Sequence, residues 1–291
     1  MRLFDKCLSV PCGELGRQMR NRHPQAVLCA DVIASHFYMS PKEDWLPGDY
    51  PFCKPPWKSC FVEWNNPPLM NLSGSLHALC DDAQQVGIFC QVSSNLNFTD
   101  RRYMTKAMAA FEYSHASPDD AETAVYGMLA ACLGGAVIAP QFVWSCWLDR
   151  EGNYLAGASI GPDASYGFTM SNYQTIMLLA FTFANCCNVK LEDATEELQP
   201  IPKIRRRLKI PEVKRYTLNI AGHISRPSRE YTKGPQGVMP FHLCRGHFAT
   251  YTADRPMFGN PKLIGRYWHP PHIKGKKENG EIIKDYAITA D

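Results

Sequence analysis

The chain contains no apolar run approaching the ~18 residues that a membrane-crossing helix requires. It also lacks any C-x-x-C pair. Its 12 cysteines include Cys7/Cys12, Cys53/Cys60, Cys80/Cys90 and the adjacent Cys186/Cys187, so a zinc knuckle is not expected. No apolar leader opens the sequence, because MRLFDKCLSV runs into charged residues. A cytoplasmic chain with reduced thiols is therefore expected, its cysteines serving as small buried apolar groups. An apolar content of 45% and a charged content of 20% argue against wholesale disorder, and 291 residues suffice for one large domain or two small ones.

A large excess of charge is missing as well, the net being +3, but the charge is unevenly spread. Residues 1–202 hold 13 basic against 21 acidic side chains, a net of −8, whereas residues 203–291 hold 18 against 7, a net of +11. That asymmetry points to a polyanionic partner for the basic part; the alternative is that the basic tail docks on the acidic part. Two domains are expected: 1–200, acidic and α+β, and 201–291, basic and β-rich, divided in the proline-punctuated stretch near 195–203.

Pro24 can open a helix, and QAVLCADVIASHFYM places Val27, Leu28, Val32, Ile33 and Phe37 on one face. This predicts an amphipathic core helix with Asp31 and His36 solvated. The segment PKEDWLPGDYPFCKPPWKS reads as an ordered surface loop leading into a strand, Cys60–Trp64. Glu63, between Val62 and Trp64, is expected to face solvent. From Ser75 a short helix or turn precedes a strand at Val86–Val92. Residues 101–113 fit a helix or a strand. Asp119, Asp120 and Glu122 at the head of AETAVYGMLAACL predict a helix there, since acids favour a helix N-terminus. AVIAPQFVWSCWL and YLAGASI, joined by DREGN, predict a β-hairpin with Trp144 and Trp147 as packing residues. Ser171 to Cys187 reads as a long, centrally buried helix. The expected fold class is α+β, with a helix-rich N-terminal part carrying a short sheet and a basic antiparallel β C-terminal part.

Past the boundary, Lys203, Arg205, Arg206, Arg207, Lys209, Lys214 and Arg215 are opposed by Glu212 alone. Such a cluster holds phosphate through several contacts at once, with an affinity that falls steeply in salt. Further on, alternation along HLCRGHFATYT places Arg245, His247 and Tyr251 on a shared face. A guanidinium grips phosphate bidentately, an imidazole titrates near neutrality and a phenol donates or orients. With Arg266, Trp268, Lys274 and Lys284 from the following runs, three readings stand open. One is an RNA-binding surface. Another is metal-independent RNA cleavage with His247, Arg245 and Tyr251 as the working groups, and the third is a structural role within the sheet. His269 and His272 in HPPH provide two imidazoles, which His242 and Cys244 complete only if their strands abut. Zinc takes four ligands, so no metal is expected, and no cofactor.

The pattern H-x-x-R-G-H-F-x-x-Y followed by G-x-Y-W-x-P falls here on His242, Arg245, Gly246, His247, Tyr251, Trp268 and Pro270. This ending resembles that of proteins carried by bacteriophages and other mobile elements, specifically the anti-CRISPR family that opposes type V-A CRISPR–Cas systems. The upstream order is similar too: a proline-rich entry to FVEW, a long apolar helix TIMLLAFTFANCC, then a basic linker. Members of that family reduce production of the nuclease through its messenger RNA during translation; the resemblance implies a phage or prophage accessory protein in the host bacterial cytoplasm, expected to engage RNA or the translation apparatus and lower expression of a host defence gene. The expected partners are RNA or a ribosome-associated nascent complex, without a membrane; the alternative is a non-catalytic interaction protein whose basic tail binds a host protein.

Overall fold

The computed structural model describes residues 2–9, 13–39, 52–65, 84–94, 96, 101–133, 135–138, 143–160, 167–195, 213–220, 240–244, 246–270, 272–274 and 276–281, with the backbone alone for the strands at 240–244, 272–274 and 276–281. Two compact units emerge: Met1–Asn185 with Leu191–Asn219, and Cys186–Lys190 with Ile220–Asp291.

The larger unit is organised on β1 (Ala26–Cys29), β2 (Ser59–Asn65), β3 (Gln85–Ser93), β4 (Thr123–Leu133), β5 (Ala136–Ile138), β6 (Val143–Leu148), β7 (Tyr154–Ile160), β8 (Val189–Asp193) and β9 (Lys214–Ile220). They form one mixed sheet in the order β7-β6-β4-β3-β2-β1-β9-β8, with β5 paired to β4. The unit boundary passes through β8. β1 runs parallel to both β2 and β9, while β2, β3, β4, β6 and β7 pair antiparallel in turn.

Helices α1 (Leu3–Ser9), α2 (Gly13–Asn21), α3 (Asp31–Met39), α4 (Arg101–Ser114) and α5 (Gly167–Ala184) pack on the sheet. Leu3, Phe4, Cys7 and Leu8 of α1, with Leu15 and Met19 of α2, bury Val27, Phe61, Phe89 and Ala130. By strand alternation the same face carries Ala124, Trp147 and Ala156, which receive Ala107 and Phe111 of α4. On the opposite face, Tyr173 of α5 meets Trp64 with ring centroids 5.8 Å apart, and Met177 Sδ lies 3.1 Å from Cys90 Sγ.

This arrangement overturns the helix-rich reading of the N-terminal part. The segment expected as one helix from Gln25 splits into β1 and α3. AVLC is buried on both sides between two parallel neighbours, and such a strand shows no alternation to distinguish it from a buried helix. Within AETAVYGMLAACL, Thr123–Leu133 is the 11-residue strand β4, hydrogen-bonded to β3 and β6. Asp119 and Asp120 belong to a 3-10 turn, Pro118–Asp120, whose Ser117 hydroxyl accepts from the Asp119 N–H at 3.2 Å. The strands at Cys60–Trp64 and Val86–Val92 lie where expected, and residues 101–114 are helical; the hairpin forms from β6 and β7, but Ala136–Ile138 is a separate strand on β4, and α5 runs Gly167–Ala184 rather than from Ser171 to Cys187. The helix or turn expected after Ser75 lies outside the described residues, which resume at residue 84. Among the described residues, no helix is long and apolar enough to cross a membrane.

The smaller unit holds β10 (Pro240–Cys244), β11 (His247–Tyr251), β12 (Gly265–His269), β13 (His272–Lys274) and β14 (Lys276–Glu281). β10 pairs antiparallel with β13 but parallel with β14, and β11 forms a separate antiparallel ribbon with β12. HLCRGHFATYT is thus two strands in two sheets, and the C-terminal part is not purely antiparallel.

Candidate functional site

The β11–β12 ribbon gathers the chemistry of the smaller unit. Its register pairs His247 with His269, Ala249 with Tyr267 and Tyr251 with Gly265 on one face; Phe248 with Trp268 and Thr250 with Arg266 occupy the other. The loop that joins the strands closes on itself. Met257 N–H donates to the Leu263 carbonyl at 3.0 Å, and Phe258 and Gly259 take positive φ of 55° and 70° to make the turn. Gly265, φ 116°, enters β12 where a Cβ would stand 2.6 Å from Cys187 Sγ, so a side chain has no room there.

The free edge of β12 is held by a side chain. Asn188 accepts from the Trp268 N–H at 2.9 Å and donates to the Trp268 carbonyl at 2.8 Å, its amide imitating one residue of a partner strand. The Cys187 N–H adds a 2.7 Å bond to the Arg266 carbonyl. Both residues belong to the short segment Cys186–Lys190 that joins this unit. Burial pushes the Cys186 thiol up to about 12, although the nearby Arg266 opposes it.

On the first face, the His247 and His269 rings stack with centroids 5.0 Å apart and planes 20° from parallel. The Tyr251 hydroxyl lies 3.1 Å from His269 Nε2, and the Tyr251 ring stands edge-on to Tyr267 at 5.8 Å. His247 is exposed; His269 and Tyr251 are half-buried. The hydrogen bond shared by the Tyr251 hydroxyl and His269 Nε2 holds the plane of the His269 ring. The arrangement can therefore present one solvent-facing imidazole backed by a second whose orientation a tyrosine sets.

Of the residues singled out in the sequence, His247 and Tyr251 come together on this face, joined by His269, which spacing alone does not link to them. Its role depends on the ribbon register, which sequence spacing does not show. Arg266 lies on the other face, donating from Nε and Nη2 to Thr250 Oγ1 at 3.1 and 2.8 Å. Trp268 is buried against Phe248 at 4.7 Å. Lys274 is in β13 opposite His242, and Cys244 pairs with His272. Arg205, Arg206, Arg207, Lys209, Arg245 and Lys284 lie outside the described residues. Lys214 is exposed, its ammonium 3.8 Å from Asp193.

Arg215 departs from the expected basic surface. It is 3% exposed, and its Nη1 and Nη2 reach Glu63 Oε1 at 2.9 Å and Asp5 Oδ2 at 2.8 Å. Glu63, expected in solvent, is 2% exposed and accepts from the Phe4 N–H at 2.9 Å. The alternation was real, but α1 covers the face on which Glu63 stands. Burial raises the Glu63 carboxyl above its ordinary range, with Arg215 pulling the other way. Asp31 is likewise engaged: it pairs with Arg2 at 3.2 Å and accepts from the Asn65 N–H at 2.7 Å. These contacts join α1, α3, β2 and β9, and their carboxylates are occupied by their own partners.

No family model, curated protein or solved structure matches this chain. Among the described residues, no group of three or more His, Cys, Asp or Glu is arranged to hold a metal ion.

Proposed function

We propose that the protein is a regulatory protein of the phage or mobile-element kind, engaging RNA through the His247 face of the β11–β12 ribbon and so lowering expression of a host defence gene. The observation that carries the RNA reading is the exposed imidazole of His247 stacked on His269, itself bonded to Tyr251, within a stretch rich in cations. Imidazole and phenol faces stack on unpaired bases, and their polar edges hydrogen-bond to phosphate or to a 2′-hydroxyl. The regulatory role follows the resemblance of the H-x-x-R-G-H-F-x-x-Y ending and is the part that RNA identification in cells would test. The direct test is binding of a labelled single-stranded RNA across a salt series. The wild type should show a steep negative dependence of affinity on salt, and His247→Ala should weaken binding; a slope near zero ends the reading.

The Tyr251–His269 hydrogen bond favours a second reading, metal-independent RNA cleavage. His247 would take the proton of a 2′-hydroxyl, whose oxygen attacks phosphorus as the P–O5′ bond breaks. The products are a 2′,3′-cyclic phosphate and a 5′-hydroxyl, the leaving oxygen being protonated by an acid. His269 and Tyr251 would act as positioning residues. Cleavage in EDTA that is lost in His247→Ala, and lowered with a shifted pH profile in Tyr251→Phe, is the expected result; equal product from wild type and His247→Ala rules it out.

A further inference from the structure

We infer that the larger unit carries a contact surface of its own for single-stranded RNA, centred on Trp57 and Tyr216. Their rings stack with centroids 5.2 Å apart and planes 26° from parallel, and both residues are half-buried. Exposed Lys54 and Lys58 flank Trp57 in the sequence KPPWK, and exposed Lys214 stands two residues before Tyr216, on the same face of β9. An aromatic pair among cations is the combination by which proteins hold unpaired nucleotides: bases stack on the rings and lysines track the phosphates.

The loop is built to hold this position. The Asn185 side-chain amide donates to the Phe52 and Lys54 carbonyls at 2.7 and 2.8 Å, and the Cys53 N–H reaches the Gly152 carbonyl at 2.8 Å. The Lys58 N–H donates to Gln25 Oε1 at 2.8 Å, and Pro55 and Pro56 fix φ between these anchors. A surface segment held this way loses little conformational freedom when a strand settles on it. A loop that merely covered a sheet edge would not need its indole left half open between two lysines.

The cationic strip continues past Lys58. Ser59 Oγ donates to the His23 carbonyl at 3.1 Å and Arg22 donates to Gln91 Oε1 at 3.0 Å, bringing exposed Arg22 and His23 to the same end of β1 and β2. Asp193 beside Lys214, and exposed Glu151 next to Gly152, mark its limits. The Lys214–Asp193 pair is solvent-exposed and long, so it leaves the ammonium available to a phosphate.

The test uses the full chain, a fluorescent oligouridylate and an oligouridylate carrying 4-thiouracil for photocrosslinking. Trp57→Ala is expected to weaken binding about 5- to 150-fold, the range for one lost base stack, and Trp57→Phe less. Lys54→Ala with Lys58→Ala should lower the steepness of the salt dependence by roughly 1 for each lysine. Crosslinks should map to the peptide spanning 54–58. If Trp57→Ala binds weakly while Trp57→Phe and the double lysine variant match the wild type, lost packing is reported and the surface is abandoned. Crosslinks confined to residues 240–281, with all three variants binding normally, leave the ribbon as the sole RNA contact and also overturn it. A duplex RNA bound as well as the single strand, or polyglutamate competing as effectively as RNA, rejects the single strand in favour of duplex or an acidic protein. His247→Ala, run in parallel, reports on the ribbon separately, so either surface can fail alone.

Discussion

Arg215 satisfies two carboxylates from distant parts of the chain, Asp5 and Glu63, while its guanidinium lies 5.6 Å from the centre of the Phe4 ring. Removing one partner of such a set leaves charge buried without compensation, which costs far more than the set contributes as a whole. Arg215→Ala is therefore expected to destabilise the fold by about 3–5 kcal/mol, read from urea midpoints. Glu63 adds a pH signature. Its folded pKa is raised above an unfolded value near ~4.3, so the fold binds the proton more tightly. The contribution of this group is full below the unfolded value and is lost as pH rises through the folded one. The urea midpoint of the wild type should thus fall relative to that of Glu63→Gln as pH is raised from about 4. A difference between the two that is flat across pH would contradict the raised pKa of Glu63. At this scale the sequence showed that an acid sat within an apolar strand but not which face was covered, because the covering helix α1 is distant in the chain, its Phe4 lying 59 residues before Glu63.

At the scale of elements, strand β4 shows how closely the sheet is fitted. A Cβ on Gly127 would stand 2.1 Å from the Trp144 indole of the neighbouring strand β6, so the glycine makes room for the ring. Gly127→Ala should cost about 1–3 kcal/mol in a chemical denaturation series, and adding Trp144→Leu should recover part of it; no loss in the single variant would refute the fit. The elements that were legible share a local cause. β2 and β3 are compact apolar runs rich in β-branched and aromatic residues, the β6–β7 hairpin has its turn residues in DREGN, and α5 is long and uniformly apolar. β1 and β4 were not legible for local reasons: AVLC is a four-residue apolar run that period cannot separate from the helix after it, and the acids ahead of β4 imitate a helix N-terminus. The candidate site divides in the same way. Strand parity put His247 and Tyr251 together, but the partnership with His269 required the cross-strand register, and the clamp by Asn188 comes from a segment that carries no motif.

Taken whole, the molecule distributes its charge less sharply than its sequence halves suggest. The run 203–219, with seven basic residues and one acid, goes with the larger unit, whose net charge is −3, while the smaller unit holds +6. One of those seven, Arg215, is buried and paired with Asp5 and Glu63, so it adds nothing to a cationic surface. The cysteines give a molecule-wide readout of this packing. Of the nine whose burial is described, eight are buried and Cys187 is exposed. Burial lifts the Cys29 thiol to about 12, with Glu63 adding to it, and puts Cys90 and Cys146 well above the ordinary range. The thiolate is the reactive form, so these groups should react with iodoacetamide only through opening of the fold, whereas Cys187 reacts from the native state. The sharpest comparison is between neighbours in the chain. Mass spectrometry of a time course at neutral pH should find Cys187 alkylated while Cys186 remains a thiol, and denaturant should abolish the difference. Modification of Cys186 at the rate of Cys187 in the native protein would mean that the segment clamping β12 is not held as described.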